Sequence, residues 1–199
     1  MLRYNKKFKG NLKKIIAFVI IFAVLGIGAI FIINVIVDAT KFMYIPGTYN
    51  NGDNAYDRGW KATSTDKPGL TFVNYGGYRG LKLQTMDENK IYSVAFNFDY
   101  SYFVRTEFSI VLEGEDASNI VLRALLLQYE DTVVTLPLTT FGMHDEYYFE
   151  LNDTNVEIGM NDEKTYDQPI PAGGMNDLKF EVSGFNGAII FVDLKGRRL

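Results

Sequence analysis

Cysteine is absent from the 199 residues of this chain, and histidine occurs once, as His144. The lack of cysteine excludes disulfide bonds, thiol nucleophiles and thiolate metal sites. A single histidine excludes zinc sites built from several imidazoles and any relay that needs two of them. We therefore expect no resident cofactor, and calcium held by loop oxygens is the one metal that the composition leaves open.

Acidic residues are missing from the first 37 positions, which contain six Lys or Arg side chains. Residues 38–199 therefore hold 14 basic and 24 acidic side chains, a net charge of -10 in a chain whose total is -4. Because such a surface repels phosphate groups, a nucleic-acid partner is not expected.

Charges of either sign are missing from residues 15–37, an apolar run of 23 residues. As a helix rising 1.5 Å per residue it spans about 34 Å, enough to cross a hydrocarbon core of about 30 Å. The basic residues all precede this run, and Asp38 is the first charge after it. By the positive-inside rule, residues 1–14 form a cytoplasmic tail and the rest of the chain is extracytoplasmic. We predict a signal anchor that makes this a single-pass protein of the cell membrane.

A cleaved signal peptide is the alternative, because the sequence VDA at residues 37–39 fits a small-x-small cleavage site. The apolar run is much longer than the usual 7 to 15 residues or so of such a peptide, which favours the anchor.

Residues 38–69 are crowded with Gly, Asn, Asp, Pro and Thr and show no sustained periodicity. This composition is typical of loops, so we predict a stalk that adds one short strand near residues 41–45. The predicted globular domain is residues 70–199.

Alternation of apolar and polar residues characterises the chain beyond Gly69. In residues 90–103, KIYSVAFNFDYSYF, six apolar or aromatic side chains occupy every second position from Tyr92 to Tyr102. Helical spacing cannot reproduce this pattern, and the aromatic content of 15% also favours strands. We predict an all-β fold, a two-sheet antiparallel β-sandwich, preceded by the single transmembrane helix.

Two later segments predict specific strands. Residues 146–160, EYYFELNDTNVEIGM, predict a hairpin with its turn at NDTN. Residues 161–174 are predicted to be a loop in which Pro169 and Pro171 protect or end a sheet edge. Near the end, Leu178, Phe180 and Val182 lie on one face. After a glycine-rich kink at residues 184–187, the even-numbered residues 188–194 lie on another. This final strand is expected to rejoin the first strands and close the sandwich.

The closing residues GFNGAII (184–190) and FVDL (191–194), with YGGYRGLKLQ (75–84), resemble strands of concanavalin A-like jelly rolls, including laminin-G-like domains. The resemblance implies a jelly-roll architecture, which carbohydrate-binding domains of other families share. Retaining glycosidases on this fold usually carry a Glu-x-Asp-x-x-Glu run. The nearest segment, EGEDAS from Glu113, lacks the Asp at its third position and the Glu at its sixth. We therefore expect that the chain is not an enzyme.

Other chemistry has little support. No nucleophile-elbow pattern accompanies His144, which is predicted to be a loop residue. The segments NNGDNAYD (50–57), NDTNVE (152–157) and MNDEK (160–164) offer oxygen ligands for calcium, but none completes a calcium loop, and polar turns explain them equally well.

Sugar binding needs aromatic rings for the C–H faces of the ligand, with polar side chains for its hydroxyl groups. Strand spacing is more typical of core packing for three of the candidate rings, at positions 100, 102 and 147, whereas the others lie in loop-like surroundings. The ligand-binding candidates are Trp60, Tyr75, Tyr78, Tyr100, Tyr102 and Tyr147.

We predict a membrane-anchored extracytoplasmic β-sandwich that binds a glycan or another cell-envelope component without catalysis. The alternative is a structural or assembly subunit of a membrane-associated protein complex, and a glycoside hydrolase ranks last. The sequence leaves the oligomeric state undetermined.

Overall fold

The computed structural model describes residues 42–45, 48–97, 103–114, 117–151, 155–169 and 177–198. The chain divides into two compact units, residues 1–41 and residues 42–199, and all of the described structure belongs to the second unit. The predicted tail at residues 1–14 and membrane helix at residues 15–37 lie outside the described residues and stay predictions. Within the described ranges, no helix is long and apolar enough to cross a membrane.

Thirteen strands and one short 3-10 helix make up the described chain. The strands are β1 Phe42–Tyr44, β2 Trp60–Ala62, β3 Gly69–Tyr75, β4 Tyr78–Gln84, β5 Tyr92–Asn97, β6 Phe103–Gly114, β7 Val121–Gln128, β8 Asp131–Pro137, β9 Gly142–Leu151, β10 Asn155–Met160, β11 Glu163–Pro169, β12 Asp177–Ser183 and β13 Gly187–Arg198, and the 3-10 helix is Ala55–Arg58.

The strands form two sheets. The eight-stranded sheet has the order β11-β10-β9-β6-β13-β4-β3, with β1 also paired to β13, and the five-stranded sheet has the order β2-β5-β12-β7-β8. The described pairs between strands are antiparallel. The predicted all-β, two-sheet antiparallel sandwich is therefore confirmed.

Alternating side chains from both sheets fill the core. Leu178, Phe180 and Val182 on β12 are fully buried, as the sequence predicts. Phe180 stacks on Phe191 of β13 across the two sheets, with ring centroids 3.8 Å apart. The edge of Phe108 on β6 meets the same two rings at 5.3 Å and 6.0 Å. Burial of these aromatic faces joins the sheets.

The glycine-rich kink transfers the chain from one sheet to the other. Strand β12 lies in the centre of the five-stranded sheet, and β13 lies between β6 and β4 in the eight-stranded sheet. At its far end β13 also pairs with β1, so that Arg197 lies opposite Phe42. The last strand therefore rejoins the first one, which is the closure that the sequence predicts.

Two segments differ from their predicted structure. In the predicted stalk, residues 38–69, β1 is the short strand predicted near residues 41–45. The same segment differs from the prediction because it also provides β2 to the smaller sheet and buries Ala55 and Trp60. The predicted loop at residues 161–174 contains β11, which pairs with β10 at the edge of the larger sheet. An edge strand receives hydrogen bonds on one side only, and the exposed side chains of Glu163 and Lys164 leave no apolar alternation to detect.

Candidate functional site

A groove of about 500 Å³ opens on the face of the eight-stranded sheet that points away from the five-stranded sheet. Its floor is a row of paired residues on three neighbouring strands. Ser109 on β6 lies opposite Val192 on β13 and opposite Glu146 on β9. The groove is lined by Tyr78, Ser109, Met143, His144, Glu146, Asn161, Asp162, Val192 and Asp193.

An irregularity in β13 shapes one side of the groove. Val192 pairs with Ser109 and Lys195 pairs with Glu107, so two residues of β13 face one residue of β6. A strand irregularity in which two residues oppose one residue of the partner strand is a β-bulge. Asp193 adopts a left-handed backbone conformation, with φ of 55°, which Asp tolerates better than most residues. The bulge places Asp193 on the groove and returns Leu194 to the core.

A second irregularity, in β9, shapes the opposite side. Ser109 pairs with Glu146 while Ile110 pairs with Gly142, so residues 143–145 are inserted between two paired positions. Met143 and His144 from this insertion line the groove. Bulges bend a strand and redirect its side chains. The groove therefore lies where two strands that flank β6 both depart from regular pairing.

Asn161, in the turn between β10 and β11, holds the inserted segment in place. Its side-chain oxygen accepts a hydrogen bond from the Glu146 backbone N–H at 2.9 Å, and its own N–H donates to the Glu146 carbonyl at 2.9 Å. Its side-chain nitrogen donates to the Asp145 carboxylate at 3.3 Å. The left-handed conformation of Asn161 and Asp162 makes the two-residue turn that these bonds need.

Ser109 brings a hydroxyl group to the floor of the groove. The residue is 6% exposed, and its neighbours in β6, Phe108 and Ile110, point into the core. Within the described part of the chain no hydrogen bond to this hydroxyl is found. A hydroxyl that faces a groove without a protein partner, on a residue that is otherwise buried, is available to a ligand.

Two cations beside the groove hold a network of carboxylates. Lys195 Nζ lies 2.8 Å from an Asp193 carboxylate oxygen, 3.4 Å from Glu107 and 3.6 Å from Glu146. Arg105 forms a second set of ion pairs, with Glu107 at 2.5 Å and with Glu150 and Asp162 at 3.0 Å each. The Arg105 guanidinium also lies 4.1 Å from the ring centroid of Tyr148. The network fixes the side chains that border the groove.

Burial and neighbouring charges shift the pKa values of this network. Burial raises the pKa of the Glu146 carboxyl, the nearby Glu107 raises it further, and Lys195 opposes this only in part. Burial acts to lower the pKa of Lys195, but its hydrogen bond to Asp193 and the surrounding carboxylates raise it overall. For Arg105, burial is likewise outweighed by Asp162, Glu107 and Glu150, so its pKa is raised. Glu146 is thus the carboxyl of this network whose ionised form is disfavoured.

The structure separates the aromatic candidates into different environments. Tyr78 is 48% exposed and lines the groove, and Tyr75 lies half-buried opposite it at the β3–β4 turn. Trp60 is 1% exposed, which corrects the prediction that it offers a surface for sugars. Tyr147 is also buried, and its hydroxyl accepts hydrogen bonds from the backbone N–H groups of Thr139 and Thr140. The candidates Tyr100 and Tyr102 lie outside the described residues.

Sequence reasoning missed Ser109, Glu146 and Asp193. Each is a polar residue within or next to an apolar run, and such a residue reads as the solvent face of a strand. One sequence feature could have indicated this site: Asp193 is a strongly polar residue in the apolar run of β13. Asp within a strand often marks a bulge or turn, because it tolerates the left-handed conformation.

The described parts of the potential calcium segments are a turn followed by the 3-10 helix in residues 50–57, the start of β10 in residues 155–157, and the β10–β11 turn with its flanking strand residues in 160–164. The Asp53 carboxylate accepts hydrogen bonds from the Asn50 backbone N–H and from Arg58, each at 3.0 Å. Among the residues that the structure describes, no group of three His, Asp or Glu side chains is placed to hold a metal ion.

A second groove, of about 410 Å³, lies on the outer face of the five-stranded sheet. Its described lining includes Lys61, Lys179 and Asp177 but no aromatic ring. The first groove is therefore the better candidate for a site that needs both a ring and hydrogen-bonding groups.

Comparison with known proteins shows a fold and no family. No protein-family model matches the chain, and no curated protein matches it. A Bacteroides ovatus mixed linkage glucan PUL GH16 protein, solved in complex with a G4G4G3G product, is similar with a TM-score of 0.51 and 9% identity, over 75% of this chain and 98% of that chain. This likeness shows the fold, so the predicted jelly-roll sandwich is confirmed at that level.

Two larger proteins show a weaker likeness. The enzymatically active domain of bacteriophage CBA120 tailspike protein 4 has a TM-score of 0.45 at 12% identity, over 76% of this chain. A sialidase has a TM-score of 0.47 at 12% identity, over 77% of this chain. The chain spans 21% of the tailspike chain and 19% of the sialidase chain.

The expectation that the chain is not an enzyme is corrected by the GH16 likeness, because GH16 denotes a glycoside hydrolase family and the fold is shared with such a protein. That expectation rested on the search for a Glu-x-Asp-x-x-Glu run within one strand, which the segment that begins at Glu113 does not complete. Glu146 and Asp193 reach the groove from two different strands. A search along a single strand cannot detect carboxylates assembled in this way.

Proposed function

We propose that this chain binds a glycan in the groove on its eight-stranded sheet. One observation carries the proposal: the exposed ring of Tyr78 and the unpartnered hydroxyl of the nearly buried residue Ser109 line the same groove. A sugar ring presents an apolar C–H face and a set of hydroxyl groups, so it needs both kinds of contact. Glu146 and Asn161 add further hydrogen-bonding groups to the lining of the groove.

The fold supports this proposal without deciding it. The GH16 protein with the same fold is described in complex with a G4G4G3G product, so a jelly-roll sandwich of this size is suited to present a saccharide site. Site chemistry must come from this chain's own residues, because fold and function are separable.

We also propose that residues 15–37 anchor the chain in the cell membrane with the sandwich on the extracytoplasmic side. The support is the length of the apolar run and the basic residues that precede it. Anchoring raises the local concentration of binding sites, so a modest affinity at each groove suffices. Protease shaving of intact cells is expected to remove residues 42–199 and would leave them intact if the orientation were reversed.

Hydrolysis of the bound glycan is the second candidate function. The observation that favours it is the raised pKa of Glu146, caused by burial and by Glu107, on a carboxyl that faces the groove. A carboxyl that retains its proton more readily is suited to general-acid work. Release of reducing ends from a bound polysaccharide, lost in Glu146→Gln, would establish this activity.

The binding proposal is tested by calorimetric titration of the purified full-length chain with cellotetraose and with a mixed-linkage β-glucan tetrasaccharide. Tyr78→Ala is expected to weaken binding about two- to tenfold, the effect of losing one stacked ring. Tyr129→Ala is the matched control, because Tyr129 is a highly exposed tyrosine in the turn between β7 and β8 of the other sheet. Equal losses in both variants would contradict the proposed site.

A glycan array extends the test to other saccharides. If no glycan binds while the detergent-extracted chain migrates with stable protein partners, the assembly-subunit alternative replaces the binding proposal.

A further inference from the structure

The charged side chains that line the groove are all acidic. Three carboxylates line it, on Glu146, Asp162 and Asp193, and none of its described lining residues is Lys or Arg. Two described cations, Arg105 and Lys195, form ion pairs with carboxylates of the groove lining and contact five carboxylates between them. Two positive charges against five negative ones leave this network with a net charge of -3.

The negative charge is not shared equally. Asp193 lies 2.8 Å from Lys195, and Asp162 lies 3.0 Å from Arg105. Glu146 lies 3.6 Å from Lys195, which it shares with two other carboxylates, so it has the weakest compensation of the three. Burial and Glu107 raise the pKa of Glu146, which agrees with this geometry. A cation that entered the groove beside Glu146 would stabilise its ionised form.

Ser109 supplies an independent sign of a ligand at the same position. It is the cross-strand partner of Glu146, and directly opposite residues have Cβ atoms about 5 Å apart. Its hydroxyl lies on the groove floor, 6% exposed for the residue as a whole, and has no hydrogen-bond partner in the described ranges. A hydroxyl oxygen and a carboxylate side by side are two acceptors for one N–H donor group.

Resting on the proposed glycan-binding function, we propose that this groove selects saccharides that carry a free amino group, and that the ammonium binds between Glu146 and Ser109. The ammonium donates hydrogen bonds to a Glu146 carboxylate oxygen and to the Ser109 hydroxyl oxygen. The neighbouring Asp193 adds attraction, and Lys195 forms ion pairs with both carboxylates. Uronic or sulfated saccharides are disfavoured, because their charge has the same sign as the groove.

The preference depends on the ionisation of Glu146. The charged groups that act on this carboxyl are Glu107 and Arg105 on β6 and Asp193 and Lys195 on β13. The titratable side chains of His144 on β9 and Asp162 in the β10–β11 turn line the same groove. Lowering the pH through the raised pKa of Glu146 neutralises it and is expected to reduce the preference for the amine.

The test compares a fully deacetylated β-1,4-glucosamine tetramer with cellotetraose, which carries a hydroxyl where the other carries an ammonium. Calorimetric titration of the full-length chain at low ionic strength is expected to show the glucosamine tetramer binding about fivefold more tightly, the effect of one partly exposed ion pair. Added salt should reduce this ratio. A galacturonic acid tetramer should bind more weakly than either.

Two variants locate the preference. Glu146→Gln should bring the ratio of the two affinities close to one while cellotetraose still binds. Glu113→Gln, an exposed carboxylate on the same strand as Ser109 that pairs with Lys82, should leave the ratio unchanged. Equal binding of the two tetramers by the parent chain, or a ratio that survives in Glu146→Gln, overturns the inference and leaves the glycan-binding proposal standing. Failure of all saccharides to bind overturns both.

Discussion

The indole of Trp60 packs against the ring of Phe180, with ring centroids 6.1 Å apart and ring planes inclined by 17°. Trp60 lies on β2 at the edge of the smaller sheet, and Phe180 lies on β12 at its centre. The tryptophan that the sequence offers as a sugar platform thus belongs to the core that joins residues far apart in the chain.

Trp60→Ala is expected to destabilise the sandwich by about 3–5 kcal/mol, the usual cost of removing a large buried aromatic side chain. The measurement is urea unfolding of the variant against the parent chain. Tyr78→Ala is the comparison, and at an exposed position it should change the free energy of unfolding by no more than about 0.5 kcal/mol. A stable Trp60→Ala variant that had lost glycan binding would contradict the assignment of Trp60 to the core.

Gly184 stands where the chain leaves β12, and no larger residue fits there. Its φ is 70°, and a Cβ added to it would lie 2.1 Å from the Asn119 carbonyl oxygen. Gly184→Ala is expected to cost well over 1 kcal/mol, because it adds a backbone clash to the strain of a positive φ. Thermal unfolding of purified variants measures the loss.

Gly77→Ala separates the two contributions. Gly77 has a φ of 90° with no atom within 4 Å of the added Cβ, so only the conformational strain applies and the cost should be about 1 kcal/mol. Equal losses in the two variants would show that the contact with Asn119 has no effect on stability.

The bulge at Asp193 depends on a residue that accepts a left-handed backbone. Asp193→Val places a β-branched side chain at a φ of 55° and is expected to be less stable than Asp193→Gly by about 1–2 kcal/mol. Both substitutions remove the hydrogen bond to Lys195, so the loss of that bond does not contribute to the difference between them. The measurement is the guanidinium unfolding midpoint of each variant, compared when the two unfolding curves have the same dependence on denaturant. Equal midpoints would mean that the bulge relaxes without strain.

Glu146 couples stability to pH. Burial and Glu107 raise its pKa in the folded chain, so the folded state holds this proton more tightly than the unfolded state does. Its contribution to stability is then fully present below the unfolded pKa and is lost as the pH rises through the folded pKa. Because glutamine resembles the protonated acid, Glu146→Gln should be slightly more stable than the parent at neutral pH, by less than about 1 kcal/mol. Urea unfolding across a pH series should show this difference disappear in acid, and a variant that is less stable at neutral pH would refute it.

The alternation of apolar and polar residues along single strands could be predicted from the sequence. The predicted hairpin at residues 146–160 is present as β9 and β10, with Leu151 paired to Val156 and with Phe149 and Ile158 buried. Each of these strands buries one face, so a period of two appears in the local sequence.

In strand β13 the alternation along the sequence did not predict correctly which side chains face the core. The sequence groups Val192 and Leu194 on one face, but Val192 lines the groove while Leu194 joins Ile189 and Phe191 in the core between the sheets. The bulge at Asp193 shifts the alternation by one residue. Residues 188–192 are buried on both faces, so nearly every side chain there is apolar and the sequence offers no contrast from which to choose a face.

The sequence by itself determined that this chain forms antiparallel strands and closes on its last one, because alternation and turn residues act between neighbours in the chain. Only the tertiary structure decided which polar residues meet. Tyr78, Ser109, Glu146 and Asp193 come from four strands, and the order of those strands and the two bulges between them depend on pairing across long stretches of chain. Long-range packing sets where a side chain lies relative to such distant partners, so no periodic pattern in the sequence predicts it.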